Sequence, residues 1–280
     1  MAYDTFIPKL WSASIMRNLE RLCVFAEDCN RQYEGEFKKA GDTVHILGAA
    51  SPTIYTIDRS QANEEIEDPE EPVGTDTTLT INQMSYFNYM VGDIDKAQAV
   101  DSLMDSLTAE TAEKMASTID AYIAKFAADT SVSKLNATVP VVNASNVLTM
   151  LDSAIQKLYE NDVKPTTELV VTVTPRFYTL FRSAYIDRST DNAGILKNGK
   201  VGMYGNVTVK MSNNVYKTDS GATDNIMIRT KRAVAFVNPY VHNEAYRPEK
   251  RFADAIKGYS LYDAKVIRPA EILNINVKYA

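Results

Sequence analysis

Histidine, cysteine and tryptophan are nearly missing from this chain, with two, two and one in 280 residues. His45 and His242 each lack a metal-ligand companion three or four residues on, and no HExxH or Cys/His cluster occurs. There is no GxxxxGK[ST], no GxGxxG after a strand and no GxSxG. Catalytic residues, cofactor-binding residues and metal ligands are therefore all expected to be absent. No apolar run approaches the roughly 18 residues of a membrane span, so no membrane association is expected. The opening MAYDTFIPKLW has no basic stretch followed by an apolar core, so it does not read as a secretion signal. Basic charge is also short: 30 Lys and Arg against 36 Asp and Glu give a formal charge of -6. That argues against a general nucleic-acid binder, which needs a cationic surface to neutralise phosphate. Cys23 and Cys29 form no CxxC pair, and we expect two buried free thiols in a reducing cytoplasm.

What is present is organised around one long stretch. Ile94 to Asp129 contains no Gly and no Pro, and Val100, Met104, Leu107, Met115, Ile119, Tyr122 and Phe126 keep one face apolar at the helical period. Asp93 suits the N-cap and Asp95 the first turn. Such a helix would be about 50 Å long at 1.5 Å per residue, which implies a flat, elongated molecule. At 280 residues the chain exceeds the size at which single cores divide, so two lobes with extensions are expected.

Ahead of this spine, a short amphipathic helix is expected from Ser12 or Ser14 towards Asn30. The period then changes: residues 43–47, 53–57, 77–81 and 85–91 are β-branched or aromatic runs bounded by Gly and Pro. They read as the two sides of one long hairpin. Its tip carries Glu64, Glu65, Glu67, Asp68, Glu70 and Glu71. A two-stranded hairpin is marginal in water, so another molecule is expected to cover it. Beyond the spine, a helix capped by Asn143 or Ser145, a fully buried strand at Leu169–Val173, a helix opening on Thr174-Pro175 and alternating strands to Val237 read as an α/β lobe. The closing strand alternates Leu273, Ile275, Val277 and Tyr279 with Asn274, Asn276 and Lys278, which implies one buried face packed on the spine helix.

The acidic tip has a chemical counterpart in the C-terminal part, where Arg229, Lys231, Arg232, Arg247, Lys250, Arg251, Lys257, Lys265 and Arg268 crowd together. Glu64, Glu65, Glu67 and Glu70 are expected to pair between subunits with such cations, Arg247, Lys250 and Arg251 foremost. Contacts of this kind fix orientation more than affinity.

Three segments carry a family resemblance. They are Phe6-Ile-Pro-Lys-Leu-Trp-Ser-Ala-Ser14 with Asn30-Arg-Gln-Tyr-Glu-Gly-Glu36 and Gly41-Asp-Thr-Val44; Gly202-Met-Tyr-Gly-Asn-Val-Thr-Val-Lys-Met-Ser-Asn-Asn214; and Phe252-Ala-Asp-Ala-Ile-Lys-Gly258 with Leu261-Tyr-Asp-Ala-Lys-Val-Ile-Arg-Pro269. In that order the chain resembles the major capsid proteins of tailed bacteriophages, with Asp263 where a Gly is more usual. The resemblance implies an α+β, HK97-type capsid fold with a long spine helix, an extended β-hairpin E-loop, a discontinuous P-domain and an α/β A-domain. Residues 1–40 would be the N-terminal arm, 41–92 the E-loop, 93–132 with 239–280 the P-domain, and 133–238 the A-domain. It further implies a virion structural protein, not an enzyme, assembled in the host cytoplasm. Hexamers and pentamers would tile an icosahedral shell around double-stranded DNA, with a separate scaffolding protein, a portal and decoration proteins as partners. The arm begins almost at Met1, which leaves the scaffolding role to another protein or to none. No Lys lies between Lys39 and Lys96, so no covalent crosslink from the E-loop is expected. An encapsulin-like compartment is the alternative within the fold. A hydrolase or ligand-binding enzyme using the acidic loop and the Asn192–Gly205 loop is the alternative outside it.

Overall fold

The computed structural model describes residues 23–34, 43–49, 53–56, 68, 74–92, 102–187 and 202–279. The elements in order are β1 (Thr43–Ala49), β2 (Gly74–Thr80), β3 (Gln83–Gly92), α1 (Ser102–Ala124), β4 (Ser133–Lys134), β5 (Val141–Val142), α2 (Val147–Glu160), β6 (Leu169–Val173), α3 (Pro175–Asp187), β7 (Met203–Tyr204), β8 (Val207–Met211), β9 (Tyr216–Thr218), β10 (Thr223–Thr230), β11 (Val234–Tyr246), β12 (Ala253–Val266) and β13 (Ile272–Tyr279).

The spine is α1, continued by a 3-10 turn over Lys125–Ala128. Its 23 helical residues span about 35 Å at 1.5 Å each. Ala112, Met115, Ala116, Ile119 and Ile123 are buried along its inner side, as the periodicity requires, while Tyr122 and Phe126 pack half-buried beside them. The expected start at Asp93 and Asp95 lies outside the described residues.

An eight-stranded mixed sheet forms the main core, in the order β4-β13-β10-β6-β8-β7, with β5 also on β13 and β9 also on β10. β6 runs parallel to β8 and antiparallel to β10, so its five residues are buried on both faces. α2 turns Val147, Leu148, Leu151, Ala154 and Leu158 inward at the helical period. Thr174 Oγ1 accepts the Phe177 N–H at 3.4 Å, and Pro175 occupies the first turn of α3, where an N–H has no partner to lose.

Four sequence expectations need correction. The hairpin's second side is β2 and not β3: among the described residues β1 pairs with β2, from Thr43 opposite Thr80 to Ala49 opposite Gly74. β3 instead joins a three-stranded sheet in the order β11-β12-β3, and Thr53–Thr56 form no strand. The hairpin root is covered by its own chain, because Val44, Ile46, Leu79 and Ile81 pack with Ala235 and Val237. Second, the arm helix does not continue to Asn30. Residues 23–30 hold only a 3-10 turn at Ala26–Asp28, and residues 1–22 lie outside the described set. Third, residues 234–237 leave the α/β lobe for the three-stranded sheet. Fourth, β13 has no solvent face. It sits between β10 and the short β4 and β5, and Asn274 and Asn276 are buried with the apolar residues. Asn274 Nδ2 donates to Asn225 Oδ1 at 3.0 Å, which is how part of the polar face is accommodated indoors.

Candidate assembly surfaces

Among the described residues no group of three or more His, Cys, Asp or Glu could hold a metal ion. His45 on β1 and His242 on β11 are both exposed and stand in different sheets. A depression of about 980 Å³ lies between the hairpin root, residues 29–33 and the β12–β13 turn. Three of its charges are spent on one another. Arg232 Nη2 and Arg268 Nη1 both reach Glu271 Oε1, at 3.2 and 3.0 Å, and Thr230 Oγ1 donates to the other oxygen. Lys231 pairs with Glu168 at 3.6 Å. These are structural pairs that close a turn, with no nucleophile and base set between them.

Two buried polar centres hold the segments from which the chain's extensions depart. At the first, Asp120 on α1 is 1% exposed and accepts the backbone N–H groups of Val24, Phe25 and Ala26 at 2.7, 3.0 and 3.3 Å. Burial pushes its carboxyl above the usual range, against the opposing pull of those three donors. Arg229 completes this centre. It is 1% exposed, donating to the Phe25 carbonyl at 2.7 Å and to Cys29 Sγ at 3.1 Å. It therefore belongs to the interior and not to the surface cations among which the sequence placed it. Both cysteines are buried and free, as expected, and burial holds the Cys29 thiol above its ordinary value despite Arg229.

The second centre is Asp263 on β12. Its Oδ1 accepts the Tyr122 hydroxyl at 2.7 Å and its Oδ2 accepts the Asn82 N–H at 3.0 Å. Asn82 lies at the bend where the chain passes from β2 into β3. One carboxylate thus joins the spine helix, the central strand of the small sheet and the hairpin's exit. Burial and the adjacent Asp263 raise the Tyr122 hydroxyl's pKa. Lys265 Nζ adds a second tie, donating to the Thr78 carbonyl at 2.7 Å.

Of the expected contact residues, Glu64, Glu65, Glu67 and Glu70 lie outside the described residues. Arg247, Lys250 and Arg251 are exposed together on the turn between β11 and β12, beside Phe252, which is 88% exposed. Arg251 Nη1 reaches Met90 Sδ at 3.7 Å. Sequence reasoning missed the roles of Asp120 and Arg229, whose partners lie about a hundred or more residues away. Asp263 left one trace, as a carboxylate where the resemblance led us to expect Gly.

The same fold recurs in known structures. A chain from Mycobacterium phage Che8 is 26% identical, with 90% of each chain covered and a TM-score of 0.74. The capsid of cyanophage P-SCSP1u matches at 15% identity over 87% of this chain and 85% of that one, with a TM-score of 0.68. This chain has the HK97-type capsid fold. The mature capsid of bacteriophage PhiM1 shares it at 15% identity over 85% and 82% of the two chains, with a TM-score of 0.63. No protein-family model and no curated protein matches the sequence. The capsid fold thus stands here on geometry that sequence comparison does not reach.

Proposed function

We propose that this chain is the structural subunit of an icosahedral shell, tiling as hexamers and pentamers around double-stranded DNA. The observation that carries the reading is the capsid fold over about nine-tenths of the chain. In this reading residues 1–40 are the arm, 41–92 the E-loop with β3 returning to the small sheet, 93–132 with 239–280 the P-domain and 133–238 the A-domain, its last residues 234–237 crossing into that same sheet. β13 pairs with β10, so one sheet welds the two lobes and they would move as a unit. A net charge of -6 suits a wall that encloses DNA without gripping it. Stability would come from many modest contacts repeated over a closed surface. A scaffolding protein, a portal and decoration proteins remain the natural partners.

The acidic tip is assigned to a neighbour's β11–β12 turn, with Glu64, Glu65, Glu67 and Glu70 facing Arg247, Lys250 and Arg251. Negative-stain microscopy of the full chain, expressed alone and with its neighbouring gene products, tests the shell; closed particles are expected. A well-folded single copy at high concentration under both conditions overturns the reading. In the same assay, changing those four glutamates to Gln should slow particle formation at low salt and matter little at high salt. Equal rates at both would remove the tip assignment alone.

A further inference from the structure

The three-stranded sheet has two edges, and they are finished differently. The first part of the β11 edge, Val234–Asn238, is closed by its own chain. Asn30 N–H donates to the Val234 carbonyl at 2.8 Å, the Asn30 carbonyl accepts the Phe236 N–H at 2.9 Å, and Glu34 Oε1 accepts the Asn238 N–H at 3.0 Å. Pro239 then removes a donor, and the register shifts between Val237 and Tyr240. Proline, a bulge, a charged side chain and a covering segment are the devices by which sheets avoid pairing with other chains.

Among the described residues the β3 edge has none of these. Its ten residues pair with β12 in unbroken register from Gly92 to Gln83. The run Gln-Met-Ser-Tyr-Phe-Asn-Tyr-Met-Val-Gly holds no charge and no proline. Among the described residues no strand lies on its outer side. An antiparallel edge strand turns about half of its N–H and C=O groups outward. Met84, Tyr86 and Met90 are 59%, 75% and 46% exposed on one face. Beside them, β3 and α1 enclose a groove of about 390 Å³ lined by Met84, Tyr86, Phe87, Thr111, Lys114 and Met115. The groove is a shelf for the side chains of one more strand.

We propose that the outer edge of β3 is an interface between copies of this chain, which receives a strand from a second copy when the shell forms. The occupant is a second copy because an uncharged strand offers nothing to steer a charged partner, whereas repeated self-contact makes a weak edge effective by number. The proposal rests on the shell reading. It adds main-chain hydrogen bonding to a contact otherwise described only by charge.

Hydrogen–deuterium exchange of wild-type particles tests it, with peptides covering Gln83–Gly92. All amides of the strand should be slow in the shell, and about half should exchange freely in subunits dissociated from it. Fast exchange of that half within intact shells overturns the proposal, as does equal protection in the dissociated subunit, which would mean the chain covers its own edge. A second measurement uses Met84→Lys with Tyr86→Lys, both exposed in the subunit. Shell yield should fall at least tenfold while the subunit's circular dichroism is unchanged; full yield would also overturn it. Failure of wild-type particles to form at all would sink the shell reading instead.

Discussion

Replacing Asp263 with Ala should loosen three elements at once, and the cost can be worked from the contacts. The change removes the acceptor for the Tyr122 hydroxyl and for the Asn82 N–H. Hydrogen bonds to a charged group contribute about 1.5–3 kcal/mol each, and the half-buried Tyr122 hydroxyl left without a partner adds to the loss. The total is about 3–5 kcal/mol, of the order seen when a buried network is broken. At roughly 2 °C per kcal/mol for a chain of this size, the unassembled subunit should melt about 6–10 °C lower. Tyr122→Phe removes one of those bonds and should cost about 1.5–3 kcal/mol, near 3–6 °C. The two residues share a bond, so the double variant should melt within about 1 °C of Asp263→Ala alone. Differential scanning calorimetry of the four proteins gives the cycle. A loss below 2 °C for Asp263→Ala, or fully additive losses, would show that the carboxylate does not couple the spine to the hairpin's exit.

Two further outcomes follow from the geometry. A Cβ at Gly258 would sit 2.0 Å from Asn243 Oδ1 and 2.6 Å from the Phe87 ring, so Gly258→Ala should cost about 1–3 kcal/mol by overpacking. Adding Asn243→Ala should recover part of it in thermal melts, because it removes the nearer clash; no recovery would locate the strain elsewhere. Lys210 Nζ lies 2.7 Å from both Glu27 Oε2 and Asp28 Oδ2, so that buried Asp28 oxygen is served by the ion pair. The hydrogen bond from Lys210 holds Glu27 below its usual value. Burial pulls Lys210 down, but its bonds to Asp28 and Glu27 outweigh that and hold it above its ordinary value. A lowered acid stabilises above its unfolded pKa and a raised base below its own, so the bridge should contribute evenly from about pH 5 to 10. It should fade as pH falls through the Glu27 value or rises through the Lys210 value. The melting difference between wild type and Lys210→Met across pH 3–11 measures this. A difference that stays constant into acid would refute it.

The parts legible in the sequence are those whose signals are local. α2, β6, the Pro175 start of α3 and β8 declared themselves through period, β-branching and caps. Strand partnership did not, because it is decided by distant chain. Gln83–Gly92 and residues 53–57 read alike, yet only the first found β12, more than 160 residues away. Asn274 and Asn276 read as a solvent face because asparagine is seldom buried. They went inside because β10 places Asn225 opposite Asn276 and within reach of Asn274. Arg229 looked like any other basic residue in a basic region, and nothing nearby announces the Phe25 carbonyl that holds it.

The fate of the C-terminal cations narrows where charge can act between copies. Arg229 is buried; Lys231, Arg232, Arg268 and Lys257 are paired with acids of their own chain; Lys265 is bound to the Thr78 carbonyl. The β11–β12 turn carries Arg247, Lys250, Arg251 and Phe252 on the surface. That turn adjoins the unprotected edge, because Gly92 at the end of β3 pairs with Ala253 at the start of β12. A neighbouring strand that added to β3 would run directly into the cationic turn. An uncharged edge fixes which face of the added strand is buried but not its position along the strand in steps of two residues. A charged stop at one end supplies that register. Adhesion from the edge and alignment from the turn would then be two halves of one contact, and weakening the turn alone should yield particles that form but close irregularly.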